Sequence, residues 1–149
     1  MSIKVEVHQA CIVEVKNRIQ FYNKLLNDLS EGANNDAKSS AGDKHETARA
    51  MMQLEQEKVG KQLKDAEEMS AFLEKINMQA LQEKVTLGSL VKTNAGLFYI
   101  AAAIGKLNVK NQEVYVLSPK SPLGAKLVGL RVNNKIEVNA KQFILESIL

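Results

Sequence analysis

The chain has 149 residues, of which 45% are hydrophobic and 25% charged, a composition that suits a globular protein with room for one ordinary domain or two small elements. Four Phe, three Tyr and no Trp argue against a base-stacking platform for single-stranded nucleic acid. Cys11 is the only cysteine, so an intrachain disulfide and a cysteine-built zinc site are excluded, and a buried, inert thiol in a reducing cytoplasm is expected.

From about Lys4 to Leu29, Ile12, Val15, Ile19, Tyr22, Leu26 and Leu29 recur in steps of three or four, which predicts one apolar stripe along a helix. The opening Ile3-Lys4-Val5-Glu6-Val7 alternates like a strand, so the helix is expected to begin near His8. The stretch from Ser30 to Gly42 is poor in large apolar groups and rich in turn formers, and it reads as a loop.

A second helix is expected from about Asp43 to Gln79, with its stripe at Met52, Val59, Leu63, Ala66, Met69, Leu73 and Ile76. That stripe is narrow and flanked by Glu, Gln and Lys, as in an arm that meets one partner helix. Thirty-odd residues at a rise of about 1.5 Å give roughly 50 Å of helix, which predicts a projecting hairpin.

Past Gln82, Met disappears and five of the eight Gly appear. Strands are expected at Leu90–Thr93, Leu97–Ala103, Glu113–Leu117, Lys135–Val138 and Phe143–Ser147, separated by turn formers. Between the third and fourth, Ser121 suits an N-cap, Pro122 the first helical position and Gly129 a C-cap. The fold class is therefore α+β. A helical coiled-coil hairpin over residues 1–82 precedes a small antiparallel sheet domain with one short helix over residues 83–149.

Charge divides along the same line. Residues 1–84 carry 12 basic and 14 acidic side chains, and residues 85–149 carry 8 basic and 3 acidic. The basic excess of the second part suits docking on an acidic protein surface better than binding nucleic acid. The N-terminus lacks the apolar run of a signal peptide. The longest apolar stretch, from Ala95 to Gly105, is about half of what a membrane span needs.

The chemistry-bearing candidates sit at the bend, in Gly42-Asp43-Lys44-His45-Glu46-Thr47. Asp43 and Glu46 have two readings. One is a capping box, with Asp43 accepting a backbone N–H and Glu46 reaching back toward the helix start. The other is a cation site, because carboxylates three apart on a helix can approach one ion, and Mg²⁺ takes one or two protein carboxylates and fills its remaining positions with water and phosphate oxygens. Alone, such a pair binds metal poorly and matters only beside a partner that supplies ligands. His45, Lys38, Lys44 and Arg49 read first as solvated residues, with phosphate or RNA contact as the sharper alternative for Lys38, Lys44 and Arg49 and a metal ligand or proton shuttle as that for His45. No Walker loop, dinucleotide fingerprint or Ser/His/Asp arrangement is present, and a self-contained enzyme site is not expected.

Two segments resemble the Gre family of bacterial transcript cleavage factors. Gly42-Asp43-Lys44-His45-Glu46-Thr47-Ala48 resembles that family's Gly-Asp-x-x-Glu-Asn-Ala tip. Leu87-Gly88-Ser89-Leu90-Val91, Ser121-Pro122-Leu123-Gly124-Ala125-Lys126-Leu127-Val128-Gly129 and Val132-Asn133-Asn134-Lys135-Ile136-Glu137-Val138 resemble its FKBP-like domain.

The resemblance implies a factor that is not itself an enzyme. Its C-terminal domain docks on RNA polymerase, with Ser121, Pro122 and Leu123 at the contact, and its hairpin enters the secondary channel toward the nascent RNA 3′ end. Asp43 and Glu46 match the acidic pair that assists Mg²⁺ shared with the polymerase during cleavage of backtracked RNA; no cofactor of its own, membrane or small-molecule substrate is implied. Thr47 stands where the family has Asn, and Asn139-Ala140-Lys141 replaces a Pro-Gly turn. A channel-binding regulator that does not promote cleavage is the alternative, and a coiled-coil adaptor is the structural one. A prolyl isomerase is disfavoured, because Phe98, Tyr99 and Tyr115 are the only aromatics of the module ahead of its last strand.

Overall fold

The computed structural model describes residues 2–38, 43–80 and 82–149, except for the side chains of residues 33–38 and 43–45. In chain order the elements are α1 (Ile3–Lys38), α2 (Asp43–Glu74), β1 (Leu90–Thr93), β2 (Gly96–Ile100), β3 (Gly105–Val109), β4 (Gln112–Leu117), α3 (Pro122–Leu127), β5 (Lys135–Val138) and β6 (Lys141–Ile148). A helical hairpin thus precedes a six-stranded sheet with one short helix. The backbone forms two compact units, one of Met1–Glu14 with Met69–Leu149 and one of Val15–Glu68.

The unit of residues 15–68 holds the long central parts of α1 and α2. Val15, Val59 and Ala66 are buried, while Ile19, Tyr22, Leu26, Leu29, Met52 and Leu63 are half-buried, as a narrow two-helix seam requires. Gly32 marks a close approach, since a Cβ there would stand 2.8 Å from Met52 Cε.

In the other unit the strands run in the order β3-β4-β2-β1-β6-β5. Four of the five pairings are antiparallel, but β2 and β4 are parallel, so the sheet is mixed where an antiparallel one is expected. The unanticipated strand β3 is the reason. It folds back on β4 through Lys110-Asn111, both at positive φ, a two-residue turn whose twist matches the strands it joins. This leaves β4 alongside β2 in the same direction.

The two sheet faces follow from the alternation of side chains along each strand. On one face Val91, Phe98, Ile100, Phe143 and Leu145 form a core with Val85 and with Leu127 of α3. On the other, Leu90 and Tyr99 are fully buried, and Tyr99 meets His8 from the start of α1.

Three boundaries of the long helices differ from expectation, and among the strands β2 stops at Ile100 instead of Ala103 while β6 runs from Lys141 to Ile148. Helix α1 begins at Ile3, because Val7, Cys11 and Val15, spaced four apart, are all buried and outweigh the short alternation of Ile3, Val5 and Val7. Ile12 is instead 41% exposed. At its other end α1 continues to Lys38, taking in most of the expected loop. Helix α2 ends at Glu74 and not at Gln79: beyond it, the Asn77 side chain accepts the N–H of Gln79 at 3.0 Å, a local turn that competes with helix.

Candidate partner-binding site

The segment Ser118-Pro119-Lys120-Ser121-Pro122 is locked by its own hydroxyls. Ser121 Oγ donates to the Ser118 carbonyl at 2.7 Å and accepts the Gly124 N–H at 3.0 Å, which makes it the N-cap of α3. Pro122 occupies the first turn, where no N–H is needed. At the far end the C-cap is Val128, whose N–H bonds the Gly124 carbonyl, one residue before the expected Gly129; Gly129, at φ 90°, gives its N–H to the Val85 carbonyl at 2.8 Å. Gly124 is buried, and a Cβ there would overlap the Ser118 carbonyl oxygen. Only glycine lets the helix start so close to the preceding turn.

Seated this way, α3 presents Ser121, Pro122 and Leu123 to a cleft of about 440 Å³ whose opposite wall is the β5–β6 hairpin, through Val138, Lys141 and Phe143. Phe143 packs edge-to-face on Phe98 at 5.8 Å, and Phe98 stacks on Tyr115 at 5.5 Å, so the floor is fixed by an aromatic row. The Lys141 ammonium lies 5.8 Å from the centre of the Phe143 ring, a cation–π distance. Lys126 donates to the Glu137 carbonyl at 3.4 Å, and Lys120 is exposed. An apolar floor bordered by lysines suits a partner with an apolar anchor flanked by carboxylates.

Sequence reasoning picks out Ser121, Pro122 and Leu123 and misses Val138, Lys141 and Phe143. The signal was available, since a two-residue Asn139-Ala140 turn sets Val138 opposite Lys141 and leaves Phe143 on the same face.

At the hairpin bend α2 opens at Asp43, and Glu46 and Arg49 are exposed. The side chains of Asp43, Lys44 and His45 lie outside the described residues, as do any capping box between Asp43 and Glu46 and any contact of Lys38. Among the described residues no three His, Cys, Asp or Glu side chains gather where they could hold a metal ion.

A third group of polar residues is structural. The Tyr99 hydroxyl and His8 Nδ1 are 2.8 Å apart in the core, and the same hydroxyl lies 3.6 Å from Met78 Sδ. Burial, then the nearby Lys4 charge, pulls the His8 pKa below its usual value. A neutral imidazole bonds this hydroxyl through Nδ1 as donor or acceptor according to its tautomer, and the hydroxyl itself can donate to Met78 Sδ, so the pair satisfies itself. Cys11 is fully buried, and burial, reinforced by Glu14, pushes its thiol up to about 12. A reactive thiolate is not available near neutral pH. No helix among the described residues is long and apolar enough to cross a membrane.

No protein-family model matches this chain, and no curated protein does. Among solved structures, the chain is similar to one titled "Structure of the transcription factor Gfh1", with 15% identity, 92% of each chain covered and a TM-score of 0.38.

Proposed function

We propose that this protein is a transcription elongation factor. In this reading its sheet module docks on RNA polymerase, and its helical hairpin enters the secondary channel to stimulate cleavage of backtracked RNA by the polymerase. The observation that carries the proposal is the cleft. The three residues whose motif resembles the Gre docking segment line one wall of it, and the module that holds it has a basic excess suited to an acidic protein surface.

The hairpin supports the second half. Helix α2 opens at Asp43, with Glu46 three residues on and exposed. Two carboxylates at that spacing match the one or two that Mg²⁺ accepts from a protein, and a shared ion would activate water and stabilise the leaving oxygen of a phosphodiester. Asp43 and Glu46 would hold that ion; Lys44 and Arg49 would meet the RNA phosphates. The polymerase remains the enzyme.

Binding tests the proposal separately from cleavage. With core polymerase from the same source, Leu123→Asp is expected to weaken affinity about tenfold or more, as for the loss of a buried apolar anchor. The Asp43→Ala/Glu46→Ala double variant is expected to bind as the wild type does. Unchanged binding by Leu123→Asp, with its fold intact by circular dichroism, contradicts docking through the cleft.

A further inference from the structure

A second cleft, of about 470 Å³, lies on the opposite sheet face, where Ile3 at the start of α1 stands over β1, β2 and β4. Its size is within the range of small-molecule sites. Lys92 is directly across from Leu97, Leu97 is directly across from Val114, and Gln112 lies two residues before Val114 on the same face. Leu97 therefore forms an apolar floor between a lysine on one side and a carboxamide on the other, with Ile3 and Leu149 closing it.

The one side-chain carboxylate of this cleft, Glu113, is paired with Lys106 at 2.9 Å. The side chains of Lys92 and Gln112 have no ion-pair or hydrogen-bond partner among the described residues. What remains is one uncommitted ammonium at the margin of an apolar slot.

We propose that this cleft binds a small amphipathic monocarboxylate, its apolar body over Leu97 beneath Ile3 and its carboxylate on Lys92. The cleft is apart from the α3 docking groove, and its occupancy does not depend on whether the protein binds a polymerase. Neighbouring strands are about 4.8 Å apart and each residue advances about 3.3 Å, so Lys92 and Gln112, two strands apart and offset by two residues, are roughly 12 Å apart on the sheet. A straight chain of about eight carbons spans that distance with its head group on the lysine, and the carboxamide can meet a polar group at its other end.

The test is an amide-shift titration of the full chain with octanoate, n-octanol and octylammonium. Octanoate is expected to give saturable shifts at Lys92, Leu97 and Gln112, with n-octanol at least about tenfold weaker and octylammonium weaker still, since a charge-assisted hydrogen bond accounts for roughly that factor. Lys92→Gln removes the octanoate preference, and Leu97→Asn, at the half-buried floor, weakens both octanoate and n-octanol. Equal binding of octanoate and n-octanol, shifts centred on the α3 groove, or no saturation in the millimolar range overturns the proposal.

Discussion

Replacing Gly124 by Ala tests whether the cleft beside α3 owes its shape to one missing side chain. The added methyl would overlap the Ser118 carbonyl oxygen and stand 2.8 Å from Ser121 Oγ. Both atoms belong to the cap of α3, because Ser121 Oγ receives the Gly124 N–H at 3.0 Å and donates to that same carbonyl at 2.7 Å. Losing an N-cap costs about 1 kcal/mol, and forcing backbone apart in a buried turn costs about 1–3 kcal/mol. Ala gains about 1 kcal/mol over Gly in helix propensity, which opposes these terms without cancelling them. The net expectation is a loss of about 1–3 kcal/mol, a large share of the stability of an ordinary domain.

Urea unfolding followed by circular dichroism reads this directly as a lower midpoint at unchanged slope. Ala125→Gly, at an exposed neighbouring position, is the control that loses propensity alone. Polymerase affinity should fall in Gly124→Ala as well, because Pro122 and Leu123 move with the cap. A Gly124→Ala protein that unfolds at the wild-type urea concentration or above it refutes the reasoning.

Three further outcomes are expected from the core beneath α1. Tyr99→Phe leaves His8 Nδ1, 8% exposed as a residue, without its 2.8 Å partner and should cost about 1–3 kcal/mol in the same unfolding assay. The His8 pKa is lowered in the folded state, so the unfolded chain takes up a proton first. Stability attributable to His8 is then fully present above its unfolded value of about 6.5; it declines as pH falls from there toward the folded value, and His8→Gln should flatten that decline. For Cys11 the folded value is raised to about 12 from 9.0; a thiol reagent at pH 8 should modify it only at the rate of opening or unfolding, and stability should be lost as pH rises above the unfolded value.

Much of this architecture is legible in the residues. The stripe Val15, Ile19, Tyr22, Leu26 and Leu29 marks α1, and Val59, Ala66 and Leu73 mark α2 by burial at the expected steps. The N-cap of α3 could be read from Ser121-Pro122 alone, because each answers a local stereochemical demand. What local reading misses is settled by long-range packing. Strand β3 offers only Leu107 and Val109 as alternating apolar positions and depends on pairing with β4; the parallel β2–β4 contact follows from it. Ile12 fits the helical period yet lies outside the buried stripe, because Cys11, one step earlier, takes the place against the core. At the candidate site the motif residues of α3 were visible, whereas Lys141 and Phe143 emerge only when β5 and β6 are paired. The Tyr99 partner of His8 lies 91 residues away, beyond any periodicity argument.

The most direct measurement is RNA shortening in a backtracked elongation complex assembled with polymerase from the same source, with Mg²⁺ and end-labelled RNA. The wild-type protein is expected to accelerate cleavage, and the Asp43→Ala/Glu46→Ala variant, bound equally well, is expected to leave the intrinsic rate unchanged. Cleavage that is no faster with bound wild-type protein than without it contradicts the cleavage role and leaves a regulator that occupies the channel.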